Sequence, residues 1–205
     1  MSEPTQAHAA HRDDLGSRLG MWLFLATEMI LFAGLFISYS YLRAKYPSEF
    51  HHAGAELNAT LGIINTVVLL TSSLTVVLSI VAVQRAEKTR AIALLSSTMV
   101  LGVVFLVIKG FEWAAKFRHG LYPNSPHLAT LAPGEQVFFG LYFTMTGLHG
   151  LHVIAGLGVL AVMLWWVITD RIRADRYIHL ENTGLYWHLV DVIWIFLLPL
   201  FYLAA

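Results

Sequence analysis

Apolar residues gather into five long runs, near positions 19–42, 60–83, 91–115, 136–168 and 184–203, separated by short polar segments. A helix that crosses the hydrocarbon core needs about 20 predominantly apolar residues, so each run is long enough to span. The runs are continuous rather than alternating, which favours helices over barrel strands. The pattern predicts an all-α, polytopic membrane helix bundle of five transmembrane helices. The fourth run exceeds one crossing and is expected to tilt or to project into water. Residues 1–18 read as a polar N-terminal tail and 19–205 as one five-helix transmembrane domain. The tail lacks the basic start, short apolar stretch and small-residue cleavage site of a signal peptide, so the first run is expected to be a retained span.

The connections 43–59 and 116–135 are the longer ones. The second carries Pro123, Pro126, Pro133 and Gly134 and reads as an ordered or partner-contacting loop. Neither is long enough for a soluble catalytic domain. Basic residues set the orientation. Arg12, Arg18, Arg85, Lys88, Arg90, Arg171, Arg173 and Arg176 fall on one side, whereas Arg43, Lys45, Lys116 and Arg118 fall on the other. The N-terminus is thus expected to be cytoplasmic and the C-terminus periplasmic. Trp113, Tyr122, Tyr142, Trp165, Trp166 and Tyr202 lie near span ends and read as interfacial aromatics.

Composition agrees with this picture. Of 205 residues, 57% are hydrophobic and 13% charged, against about a quarter charged in soluble domains. Thirteen basic and thirteen acidic side chains give zero net charge, which argues against nucleic-acid binding. Cysteine is absent, which excludes disulfides, thiolate metal sites and cysteine nucleophiles.

The polar residues within the apolar runs are the informative ones, because an ionisable group at the centre of a spanning helix costs roughly 2.5–3.5 kcal/mol by insertion scales. Glu28 stands deep in the first run, as a protonatable carboxyl, a partner for a neighbouring subunit or lipid headgroup, or a hydrogen-bonded acid that fixes helix packing. Lys109 and Glu112 are three residues apart, which permits a local ion pair. Lys109 is expected to snorkel toward the interface and Glu112 to turn into the bundle. His149 and His152 share a helix face with Gly156, and a small residue lets another helix approach closely. They suit metal or haem ligation, contact with a buried carboxyl, or plain packing. His188 and Asp191 repeat the spacing, where a carboxylate can fix an imidazole's tautomer. Trp187, Asp191, Trp194 and Leu198 follow one face, expected to pack on protein, and Asn65, Ser72 and Ser79 form a polar stripe suited to helix–helix adhesion.

Three functional classes compete. A haem-bearing cytochrome needs axial histidines paired across the bundle, but the spans hold His149, His152 and His188, two of them on one face. A small transporter is expected to show broken helices or an internal repeat, and neither is visible. A cofactor-free accessory subunit remains, with a small membrane transporter or assembly factor as the other-class alternative. The segments LGMWLFLATEMILFAGLF, NTVVLLTSS, GFEW, TGLHGLHVIAG and YWHLVDVIWIF, in this order and spacing, resemble the cytochrome c oxidase subunit III family from about Ser17 to Tyr202.

The resemblance implies a subunit of a haem–copper terminal oxidase that reduces oxygen to water in aerobic respiration. Such a subunit is multi-pass in the bacterial inner membrane and itself has no active site, haem or metal. Haems and copper are expected in partner subunits, above all the catalytic subunit I. Other oxidase subunits, a respiratory supercomplex and membrane lipids are further expected partners, with phospholipid bound in a cleft. The subunit is implied to support assembly, stability and proton uptake. Glu28 matches the family's carbodiimide-reactive carboxyl. Glu112, His149 and His152 match motif positions inside the bundle, and Trp187, His188 and Asp191 match the final-helix signature. These six are implied to make polar-bundle or lipid contacts. Long members have two further N-terminal helices that form one wall of the lipid cleft; in short members equivalent helices are often fused to the catalytic subunit. A quinol oxidase or nitric oxide reductase assembly is the alternative within the family.

Overall fold

The computed structural model describes residues 4–203, with side chains from Leu15 onward. Arg12, and the side chains of the predicted tail before Leu15, lie outside the described residues. Helix α1 runs Pro4–Lys45, α2 Pro47–Ala55, α3 Ala59–Gln84, α4 Lys88–Arg118, α5 Pro133–Ile168 and α6 Ile178–Leu198, ending in a π-helical turn, Pro199–Leu203. Among the described residues, five helical stretches are long and apolar enough to span: 15–45, 59–84, 88–118, 133–168 and 178–203. The five predicted runs are therefore present, each extended by a few residues. Helix α2 within the 43–59 connection was not anticipated, because its short sequence has no long apolar run. The 116–135 connection is ordered, with a single 3-10 turn at Leu128–Thr130.

Local chemistry sets the ends. Pro47 and Pro133 occupy the first turns of α2 and α5, where the missing N–H has no intrahelical partner anyway. The Asn58 side chain caps α3 by accepting from Leu61 N at 3.2 Å. Three spans end with a residue at positive φ: Ala86 after α3, Gly120 after α4 and Asp170 after α5. At each, the following N–H reaches back across the turn: Glu87 N to Ala82 O (2.8 Å), Leu121 N to Lys116 O (3.0 Å) and Arg171 N to Trp166 O (2.9 Å). These are Schellman closures, which satisfy carbonyls that the helix leaves open.

Helix α6 is the most enclosed span and α1 the least enclosed. Trp187 explains why α6 sits centrally. Its fully buried ring lies between Gly102 of α4 and Gly156 of α5, and its Nε1 donates to Ser72 Oγ of α3 at 3.0 Å. A Cβ at Gly102 or Gly156 would fall 2.9 or 2.8 Å from the indole, so four helices meet at a single side chain because two residues lack one. Two helical turns further, Trp194 donates to Thr66 Oγ1 at 3.0 Å and packs edge-on against Phe105. Trp187, Asp191 and Trp194 are buried and Leu198 is half-buried, so the expected protein-facing side of α6 is present.

Two sets of polar contacts tie helix ends together. Lys88 Nζ donates to Ile168 O and Asp170 Oδ2, both at 2.8 Å, and Arg18 pairs with Glu181 at 2.9 Å. The α1 start and the α3–α4 and α5–α6 connections thus share one end of the bundle, the end where the basic residues accumulate.

Candidate functional site: two polar clusters within the spans

Glu28 lies midway along the spanning part of α1, and its carboxylate Oε2 is 2.8 Å from His152 Nε2 on α5. The pair is largely enclosed, with 17% and 13% of the respective side chains exposed. The Phe32 ring meets the imidazole edge-on at 5.3 Å, and Tyr186 of α6 donates to the His152 carbonyl at 3.1 Å. The second imidazole nitrogen, Nδ1, lies 2.8 Å from Leu148 O. A carbonyl only accepts, so Nδ1 carries the hydrogen, and a neutral His152 presents a lone pair at Nε2. The contact with Glu28 then needs one further proton, either on the carboxyl as donor or on Nε2 as an imidazolium. In both forms the pair holds one proton and no net charge, which is what lipid tolerates.

The second cluster joins α4, α5 and the C-terminal turn. Lys109 and Glu112 form the expected ion pair at 3.0 Å, but Lys109 does not snorkel. It is 6% exposed, and its ammonium donates to Glu112 Oε2, Tyr142 Oη and Tyr202 Oη, so all three N–H bonds are used inside the bundle. Its position explains the difference: the α4 helix continues to Arg118, so Lys109 lies too deep for its stem to reach water. Glu112 turns inward as expected and accepts both phenols at Oε1, Tyr142 at 2.9 Å and Tyr202 at 2.5 Å. Tyr142 and Tyr202 are therefore not interfacial aromatics. They are 0% and 8% exposed and supply the hydroxyls that complete the pair. Tyr142 stands well inside α5 rather than at its end, a signal present in the sequence beside the more visible histidines.

His149 and His152 part company in space. His149 is fully buried in a three-ring cluster with Trp194, stacked at 5.3 Å, and Phe105, edge-on at 5.5 Å, and neither ring nitrogen has a partner among the described residues. His188 does not pair with Asp191; its Nδ1 lies 2.6 Å from Ser73 Oγ on α3. Asp191 is 3% exposed, with both carboxyl oxygens unpartnered among the described residues. The polar stripe of α3 is buried throughout but adheres unevenly. Ser72 holds Trp187, Ser79 bonds its own helix at Val76 O, and Asn65 has no partner among the described residues. Ser73 and Thr66, next to that stripe, make the inter-helix bonds that Ser79 and Asn65 do not. Among the described residues, no three His, Asp or Glu side chains are arranged to hold a metal ion.

Comparison with known proteins places this architecture. A sequence model of cytochrome c oxidase subunit III matches residues 2–205. The chain is 30% identical to cytochrome bo(3) ubiquinol oxidase subunit 3 of Pseudomonas aeruginosa, over 95% of this chain and 89% of that protein. It is 32% identical to cytochrome c oxidase subunit 3 of Gadus morhua, over 94% and 71%. It is 27% identical to the haem–copper oxidase subunit I+III of Aeropyrum pernix, over 91% of this chain and 22% of that longer one. With a five-helix bundle and a family match along nearly all of its length, the chain belongs to the cytochrome c oxidase subunit III family.

Proposed function

We propose that this chain is the accessory subunit III of a proton-pumping haem–copper terminal oxidase, without a redox centre of its own. The family match over residues 2–205 carries this reading. The relative named as subunit I+III joins the two in one polypeptide, which supports the catalytic subunit I as the partner here. The complete burial of His149, and the engagement of His152 and His188 with side chains of this chain, support haem and copper residing in that partner. The membrane is the bacterial inner membrane, with the Arg18 end cytoplasmic by the distribution of basic residues. Cytochrome c is the electron donor in our reading. Ubiquinol is the second reading, favoured by the Pseudomonas relative, which this chain covers over most of both lengths.

Glu28 is the functional carboxyl. With His152 it holds one proton in a neutral pair near the lipid-facing surface of α1, suited to exchange with a neighbouring subunit and to fixing α1 on α5. Glu112, His149 and Trp187 support the bundle that presents this pair. Glu28→Gln can still donate an amide hydrogen to the Nε2 lone pair, whereas Glu28→Ala cannot. We expect the Gln variant to assemble with the catalytic subunit but to take up protons more slowly, and the Ala variant to assemble poorly as well. If assembly, turnover lifetime and proton uptake of both variants match the parent, the role of Glu28 is wrong. Purification of the tagged chain tests the larger reading. Recovery without a large histidine-rich haem–copper subunit, or with stoichiometric haem on this chain alone, overturns it.

A further inference from the structure

Asp191 is buried on α6 with neither carboxyl oxygen hydrogen-bonded among the described residues. An ionised carboxylate without a donor is poorly tolerated in such surroundings, whereas the neutral acid places no net charge there. The Ser73 hydroxyl lies near that carboxyl without a hydrogen bond to it in this structure, and is 2.6 Å from His188 Nδ1. A hydroxyl, which accepts on one side while donating on the other, thus stands between two titratable groups of the same helix.

His188 opens the route outward. It lines a cavity of about 330 Å³ bordered by residues of α1, α3 and α6, together with Arg18, Glu181 and Asn182. Arg18 and Glu181 pair at the mouth, and the Asn182 side-chain carbonyl is buried there without a partner among the described residues, an atom that a water molecule in the cavity would satisfy. At a rise of about 1.5 Å per residue, His188 lies about 9 Å and Asp191 about 14 Å along α6 from Asn182. The charged groups of the packed helices are engaged elsewhere: Glu28 of α1 with His152, Lys109 of α4 with Glu112, and Arg18 with Glu181.

We propose that Asp191 is a proton-exchange site reached from the Arg18 end of the bundle through His188 and Ser73. A proton that arrives at His188 Nε2 releases the Nδ1 proton to Ser73 Oγ, and the Ser73 hydroxyl proton passes to the Asp191 carboxylate. Release runs in reverse, with no other bond made or broken. The site is distinct from the Glu28–His152 pair, which faces α5.

Infrared spectroscopy of the chain purified with its native partners tests this in light and heavy water. We expect a protonated-carboxyl C=O band that is absent in Asp191→Asn and displaced in Asp191→Glu. In the parent it should shift promptly on transfer to heavy water, and in Ser73→Ala and His188→Phe that shift should be delayed. A spectrum unchanged by Asp191→Asn shows an ionised group and overturns the proposal. So does a band that fails to exchange in the parent, or one that exchanges equally fast without Ser73 and His188. Ser73→Ala leaves Asp191 in place, so the route is tested even where Asp191→Asn does not assemble.

Discussion

Glu112→Gln is the sharpest probe of what holds together the half of the bundle away from the Arg18 end. The carboxylate is 4% exposed and accepts three charge-assisted or phenolic hydrogen bonds, from Lys109, Tyr142 and Tyr202. Glutamine keeps the shape and one acceptor, but its NH2 group turns a donor toward an ammonium that already has three. Lys109, 6% exposed and ringed by the faces of Tyr142, Trp194 and Tyr202 at 4.8–5.1 Å, then lacks its counter-charge. Removing one partner of a buried ion pair costs about 3–5 kcal/mol, because the remaining charge is stranded. Cation–π contact offsets part of this, about 2 kcal/mol when desolvated. A net loss of about 1–3 kcal/mol is therefore expected. The double variant Lys109→Met/Glu112→Gln strands no charge and should recover most of that loss, since replacing a whole buried pair is often neutral. Detergent-titrated unfolding of parent, both single variants and the double variant supplies the cycle. A double variant no more stable than Glu112→Gln, with coupling within about 0.5 kcal/mol of additivity, would show that packing rather than a stranded charge sets the cost, and the reasoning would fail.

Three further outcomes follow from local geometry. Gly156→Ala should destabilise the bundle by about 1–3 kcal/mol through overpacking, since its Cβ would lie 2.8 Å from the Trp187 ring; a more stable variant by thermal unfolding would contradict the packing of α5 on α6. Ala86→Gly should stabilise by about 0.5–1 kcal/mol, because Ala86 closes α3 at φ 59°, where a Cβ is strained and glycine is not; a loss in unfolding midpoint would refute this. Hydrogen bonding and charge from Lys88 hold the exposed Asp170 carboxyl below its usual range. Such a depressed group contributes above the ordinary aspartate value of about 3.9 and loses its contribution as pH falls through the lower folded value. Hydrogen exchange in 169–177 should thus be insensitive to pH-linked loosening near neutrality and rise in acid, and Lys88→Met should abolish that acid-linked step.

Five apolar runs with polar punctuation determined the number of spans and their approximate limits, because the thickness of hydrocarbon imposes a length that needs no tertiary partner. The same sequence marked Glu28, His152, Glu112, His188 and Asp191 as groups that lipid would not leave exposed, and the structure places all five against protein. Which groups meet was decided only by the packing. Spacing suggested His188 with Asp191, yet rotation of α6 against α3 gives His188 to Ser73. Spacing suggested that Lys109 would reach water, yet two tyrosines from α5 and the C-terminal turn enclose it. Glu28 finds His152 across 124 residues of chain. Periodicity along one helix reports which face is buried, but partners across helices depend on how the helices rotate and cross, and here that is set by Trp187 closing on two glycines that the linear pattern does not connect.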